Sequence, residues 1–237
     1  MCHPDAIAPA AAAGVDRRAL VQPERGSELA LDDLRLEPRT SLELTDALHD
    51  TLLFVHHGEG SVCGERLGGR GAALVRAGED GDLQAGPKSL RCVRVTIGAA
   101  TDLHAPMGIG QRQVALDHVE RGQATGSRSF QLLYGPHNGS TRATLFVGYI
   151  PPGRAPWHYH LYDEIVWVLS GAGRLHLGDE VEELTPGSAF RLRPREVHVV
   201  ENTASDVLAV LGVFTPAGSP SAAYLTADVA ETYAFST

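Results

Sequence analysis

Short runs in which apolar and polar residues alternate recur along the whole chain, each closed by glycine, proline, asparagine or aspartate. In the first half, LRLEP (34–38) and SLEL (41–44) alternate with period two. TLLFVHHGEGSV (51–62) is an apolar run that stops in a Gly-rich turn, residues 72–75 are a short apolar run between glycines, and RCVRVTI (91–97) closes the half. Residues 98–127 break this rhythm, being polar and glycine-containing. FQLLYG (130–135) and ATLFVGYIPPG (143–153) then restart it, and DEIVWVLSGAGRLHLG, LTPGSAFRLRP, EVHVVEN and DVLAVLGVFTP follow with turn residues between them. Period two belongs to a half-buried strand, and turns at this spacing predict an all-β sandwich or barrel. The pattern from 219 to 237 does not decide between a short helix and a strand.

The unit also repeats. VHHGEG (55–60) can be set beside VLSGAG (168–173), each following an apolar strand that opens on aspartate, Asp50 and Asp163. LQAG (83–86) can be set beside LTPG (184–187) if the first copy carries about a dozen extra residues. Two tandem β-barrels are the economical explanation. We expect a loose tail over 1–18, a first barrel over 19–100, a connection over 101–127 and a second barrel over 128–237.

Composition narrows the class. Of 237 residues 43% are apolar, enough for a core, and 26 Gly with 14 Pro suit many short strands. A net charge of −9 disfavours nucleic acid or an anionic membrane as partner, because phosphate binding needs clustered basic groups. Cys2, Cys63 and Cys92 form no CxxC pair and leave one odd, so a reducing cytoplasm is expected. The Ala-rich start lacks the charged and apolar regions of a secretory signal, and no run approaches the ~20 apolar residues of a membrane span.

The chemistry concentrates in GRAPWHYHLYDEIVWVLSG (153–171). His158 and His160 are two apart, which on a strand puts both on one face, and Glu164 shares their parity. With His198 they make a set of three imidazoles and one carboxylate. Such a set suits a borderline divalent ion and would leave positions open for substrate, as a catalytic site requires.

This stretch resembles the first motif of the cupin superfamily, a glycine, HxH, three or four residues, glutamate, six residues and glycine, here HYH, LYD, Glu164, IVWVLS and Gly171. The second motif is matched by Gly187, His198 and Asn202, with Arg193 and Arg195 where the pattern has proline and glycine. The resemblance implies a bicupin, two double-stranded β-helix barrels, with one Fe, Mn, Ni, Co or Zn ion on His158, His160, Glu164 and His198. It implies dioxygenase-type chemistry on a small molecule, with Glu164 as a base, the alternatives being a hydrolase or isomerase, or a non-catalytic binding barrel. A homodimer is the family habit. In the first half, Thr45, Ala47, Thr51 and Ile97 fall at the ligand positions, so that barrel should hold no metal.

Around the motif, Tyr162 shares the histidine parity and is a candidate for the pocket rim, whereas Trp157, Tyr159 and Trp167 have the opposite parity and should pack outside the barrel. Arg174 and His176, and Arg191 and Arg193, alternate with apolar residues. They form either a solvated outer face or a cationic cavity lining, and the second option makes His176 and Arg193 candidate substrate contacts. Asp163 reads as a turn or supporting group. His56 and His57 read as solvent-facing turn residues, His3, His49, His104, His118 and His137 as ordinary polar residues, and Cys63 and Cys92 as core thiols.

Overall fold

The computed structural model describes residues 2, 10–12, 14–98, 105–124, 127–220 and 223–225. The first half supplies β1 (Ala10–Ala12), β2 (Val15–Val21), β3 (Ala30–Leu36), β4 (Ser41–Glu43), β5 (Asp50–His57), β6 (Gly60–Val62), β7 (Glu65–Leu67), β8 (Gly71–Val75), β9 (Asp82–Ala85), β10 (Leu90–Ile97) and β11 (Gln113–Ala115). The second supplies β12 (Arg121–Gln123), β13 (Ser129–Tyr134), β14 (Thr144–Ile150), β15 (Gly153–Arg154), β16 (His158–Tyr159), β17 (Asp163–Ser170), β18 (Gly173–Leu177), β19 (Glu180–Leu184), β20 (Ala189–Leu192), β21 (His198–Asn202), β22 (Leu208–Thr215) and β23 (Tyr224–Leu225). Two short 3-10 turns, Leu116–His118 and Pro136–Asn138, are the helical residues among those described.

These strands build two pairs of facing antiparallel sheets. One pair has the orders β1-β2-β3-β10-β5-β8-β11 and β4-β9-β6-β7; the other has β12-β13-β14-β22-β17-β20 and β19-β18-β21-β16-β23, with β15 also on β21. The all-β expectation of two double-stranded barrels is what the chain forms. Apolar residues of alternate parity divide among three cores, as the period of two requires. Leu34, Leu36, Leu53, Val55 and Cys92 fill the first barrel, and Val166, Val168, Leu192, Val200 and Val210 fill the second. Between the barrels lies a shared core of Leu31, Phe54, Val93 and Val95 against Leu133, Leu145, Trp167 and Leu211.

The expected tail and connection carry more structure than their composition suggests. Val15–Val21 is a full strand, and the backbone of Cys2 bridges that of Ala189. Within the polar stretch expected to connect the barrels, β11 extends the first barrel and β12 the second. Three-residue edge strands are too short to show a period. The β2–β3 turn reaches the second barrel as well: Ser27 Oγ donates to Asp163, and Arg191 donates to the carbonyls of Gln22 and Leu29 while lying 3.4 Å from Asp163. Arg191 and Asp163 are therefore a buried clasp between the halves, and burial raises the Asp163 carboxyl above its ordinary range.

His56 is half-buried rather than solvent-facing, 3.5 Å from Asp33 and 5.0 Å, ring to ring, from Trp167. Cys92 is a core thiol that burial pushes up to about 12, and Cys63 is half-buried with Arg112 donating to its sulfur. No helix among the described residues is long and apolar enough to cross a membrane. His3, His104 and most of 219–237 lie outside the described residues.

Candidate metal centre

His158 and His198 sit directly opposite each other on β16 and β21, so their side chains leave the same face of one sheet. Their rings are 4.4 Å apart, and the His160 ring lies 5.3 Å from the first and 4.7 Å from the second. One ring nitrogen from each of the three falls within 4.8 Å of the others, and all three residues are buried. His158 Nδ1 faces the Pro156 carbonyl at 3.0 Å and His198 Nδ1 the Glu196 carbonyl at 2.8 Å. A carbonyl can only accept, so both rings carry their proton on Nδ1 and turn the Nε2 lone pair inward. Desolvation, opposed only partly by those carbonyls, lowers His158 to about 4; desolvation and the neighbouring imidazoles lower His198 to about 3. Both are neutral near pH 7, the state a metal ligand needs.

Glu164 comes from a different direction than parity suggested. The chain leaves β16, turns a corner at Leu161 and Tyr162, and enters β17 in the facing sheet, where Glu164 pairs with Leu192 and Phe214. The imidazoles therefore approach from one sheet and the carboxylate from the other. Glu164 Oε2 lies 3.0 Å from His160 Nδ1, yet neither atom has a hydrogen-bond partner, because they are close without being aligned. The carboxylate stands beside the histidine triangle, not within it. Buried, unpartnered polar atoms on His160 and Glu164 beside the inward-turned His158 and His198 are costly unless a cation completes them, so the residues fit a divalent metal. Gly212 makes the room: a Cβ there would lie 2.3 Å from the Phe146 ring and 3.1 Å from Glu164 Oε1.

These groups line a cavity of about 90 Å³ whose walls include Phe130, Phe146, Tyr149, Ile150, Val166 and Val210. Tyr162 lines it, stacked between the rings of His160 (4.6 Å) and Phe214 (3.9 Å). Trp157, Tyr159 and Trp167 do not. The two other proposed contacts are corrected. Arg193 is exposed and paired with Glu24 at 2.7 Å, and His176 Nε2 donates to the Glu201 carboxylate at 2.7 Å on the outer side of the sheet. Strand alternation separates two faces but does not tell which is the inside. The cavity's one cation is instead Arg128, just ahead of β13 in a segment with no periodic pattern to expose it. Arg195 has φ +66°, the left-handed conformation for which the family pattern keeps glycine, and its N–H donates to the His160 carbonyl at 2.7 Å.

The first barrel is closed to a metal by different residues than the sequence alignment gave. Gly60 pairs with Ala85 as Gly173 pairs with Asn202, which sets Gly81, not Ile97, at the position of His198, and Leu44 opposite it where His158 would be. LQAG lies in β9, whereas LTPG precedes β20, so the tetrapeptide match joined unlike strands and the supposed insertion disappears. Thr51 does correspond to Glu164. Arg94 stands where Gly212 does and Asp32 where Phe146 does. Arg94 grips Asp32 at 2.6 and 3.1 Å, and Arg17 reaches it at 3.0 Å, so an ion pair occupies the place of the metal set.

Residues 146–214 match the family profile described as a cupin domain. Within the second barrel the chain therefore carries a cupin domain. No curated protein sequence matches it, but the bicupin fold has clear structural counterparts. An oxalate decarboxylase of Lactobacillus farciminis, solved as a formate complex, aligns with TM-score 0.78 at 12% identity, covering 97% of this chain and 89% of that one. An oxalate decarboxylase variant of Bacillus subtilis aligns with TM-score 0.76 at 13% identity, covering 94% and 78%. A further structure of the Bacillus enzyme, described for its Mn(II) centres, gives TM-score 0.76 at 14% identity over the same shares. At these identities the likeness is one of fold, and the bicupin's chemistry rests on its own residues.

Proposed function

We propose that this bicupin is a metal-dependent enzyme acting on a small organic molecule in its second barrel, as a dioxygenase-type oxidoreductase working in the cytoplasm as a homodimer. The observation that carries the reading is the convergence of three buried imidazoles on the wall of a small cavity beside a buried, unpartnered carboxylate. His158, His160 and His198, with Glu164, would hold one divalent ion among Fe, Mn, Ni, Co and Zn. Bound there, the ion would supply Lewis acidity and, for Fe or Mn, a partner for dioxygen. Glu164 is placed to accept a substrate proton in an apolar pocket. Tyr162 and Phe214 fix the His160 ring by stacking, and the aromatic and aliphatic walls exclude water.

A second reading, non-oxidative cleavage of a small carboxylic acid, is favoured by Arg128 in the cavity and by the oxalate decarboxylase neighbours. Metal analysis of the purified protein, followed by oxygen uptake and carbon dioxide release with small enols, diketones and carboxylic acids, separates the two. We expect about one equivalent of metal in the wild type and less than a tenth of that in His160→Ala. A metal-free protein that His160→Ala leaves unchanged overturns the metalloenzyme reading. Turnover without oxygen overturns the dioxygenase form alone.

A further inference from the structure

Arg128 is the one cationic side chain on the cavity wall and Glu164 the one acidic one. Its guanidinium is close enough to His158 and His198 for its charge to oppose their protonation. Several other arginines among the described residues have anions beside them: Arg94 and Arg17 on Asp32, Arg91 on Asp33, Arg142 on Asp50, Arg191 on Asp163. Arg128 has none among the described residues, and desolvation is what acts on its charge. An unpaired guanidinium drawn into an apolar pocket is unfavourable unless an anion joins it there. Its planar fork suits a carboxylate.

We infer that Arg128 is the anchor for the carboxylate of a small organic acid, whose second oxygen then faces His158, His160 and His198. The inference rests on the metal-site reading for that second oxygen, but the anchor itself does not need a metal. Size restricts the class further. A cavity of ~150 Å³ accommodates benzene, and this one is about 90 Å³, which leaves room for an acid of about six heavy atoms or fewer. The cavity's apolar lining favours a monocarboxylate with a short aliphatic end, such as a 2-oxo or 2-hydroxy acid of three carbons. A divalent ion, one carboxylate and one guanidinium leave the pocket positively charged, which an anionic ligand offsets.

The test is calorimetric titration of the full-length protein, metal-loaded and chelator-treated, with pyruvate and lactate, and with lactamide as the neutral counterpart of lactate. The wild type is expected to bind lactate about ten- to a hundredfold tighter than lactamide, the range of a charged hydrogen bond. Arg128→Gln should abolish that preference and Arg128→Lys keep part of it, with metal content and thermal midpoint held in both. Equal binding of lactate and lactamide by the wild type, or an acid preference that survives Arg128→Gln, overturns the anchor while leaving the metal site standing. An Arg128-dependent preference in a protein that takes up no metal upholds the anchor and removes the metal reading.

Discussion

His158 and His198 are held neutral by burial, and that has a cost at low pH. Their folded values, about 4 and about 3, lie below the ordinary 6.5, so between those limits the unfolded chain binds protons the folded chain refuses. Stability from these groups is complete above about pH 6.5 and falls as the pH drops toward 4. The metal-free protein should lose on the order of 3 kcal/mol per histidine over that window, read from urea midpoints at a series of pH values, and His198→Gln should flatten the profile. A second residue with a defined cost is Gly212. Adding one methyl in Gly212→Ala drives a Cβ onto the Phe146 ring and toward Glu164. It should destabilise by about 1–3 kcal/mol, as overpacking does, and lower metal occupancy. Phe146→Leu in the same chain should restore part of the stability.

At the scale of elements, the site depends on how β21 is fixed. Asn202 ends the strand, is 2% exposed, and its Nδ2 donates to the carbonyls of Ile150 (2.8 Å) and Asp206 (2.7 Å) while its Oδ1 accepts from Ala204 N–H (2.9 Å). These bonds pin β21, and with it His198, to the end of β14. Asn202→Ala should cost on the order of 2–4 kcal/mol, the sum of three buried bonds, measured by chemical denaturation; Asn202→Asp, unable to donate, should recover little of it. The corner between β16 and β17 matters equally. Read as one extended strand, His158, His160 and Glu164 share a face; the chain instead changes sheets at Leu161 and Tyr162, and the barrel's closure brings carboxylate and imidazoles back together. The residue set was legible from spacing, but the route by which it assembles was not.

For the molecule as a whole, the two barrels share one core. Trp167 and Leu211 from the second pack with Phe54, Val93 and Val95 from the first, and the Arg191–Asp163 clasp ties the β2–β3 turn across. The barrels should therefore unfold together, as a single calorimetric transition. Trp167→Ala should lower stability by about 3–5 kcal/mol, and residues 120–237 expressed alone, with that face uncovered, should aggregate where the full chain does not. A first barrel whose interior ion pair replaces a metal set still contributes by covering the outer face of the second.

By itself the sequence determined the strand-rich class and the doubling of the barrel, and it marked out four candidate site residues, because a period of two and the spacings around His158 are local properties of the chain. It left open which polar face is inside: His176 and Arg193 face outward, and Arg128, preceded by no periodic strand, faces in. It also paired LQAG with LTPG, a resemblance of four residues that strand register dissolves. Only the tertiary structure decided these points, since inside and outside, and which strand lies opposite which, are set by closure of the sheets and by long-range pairing that no short stretch encodes.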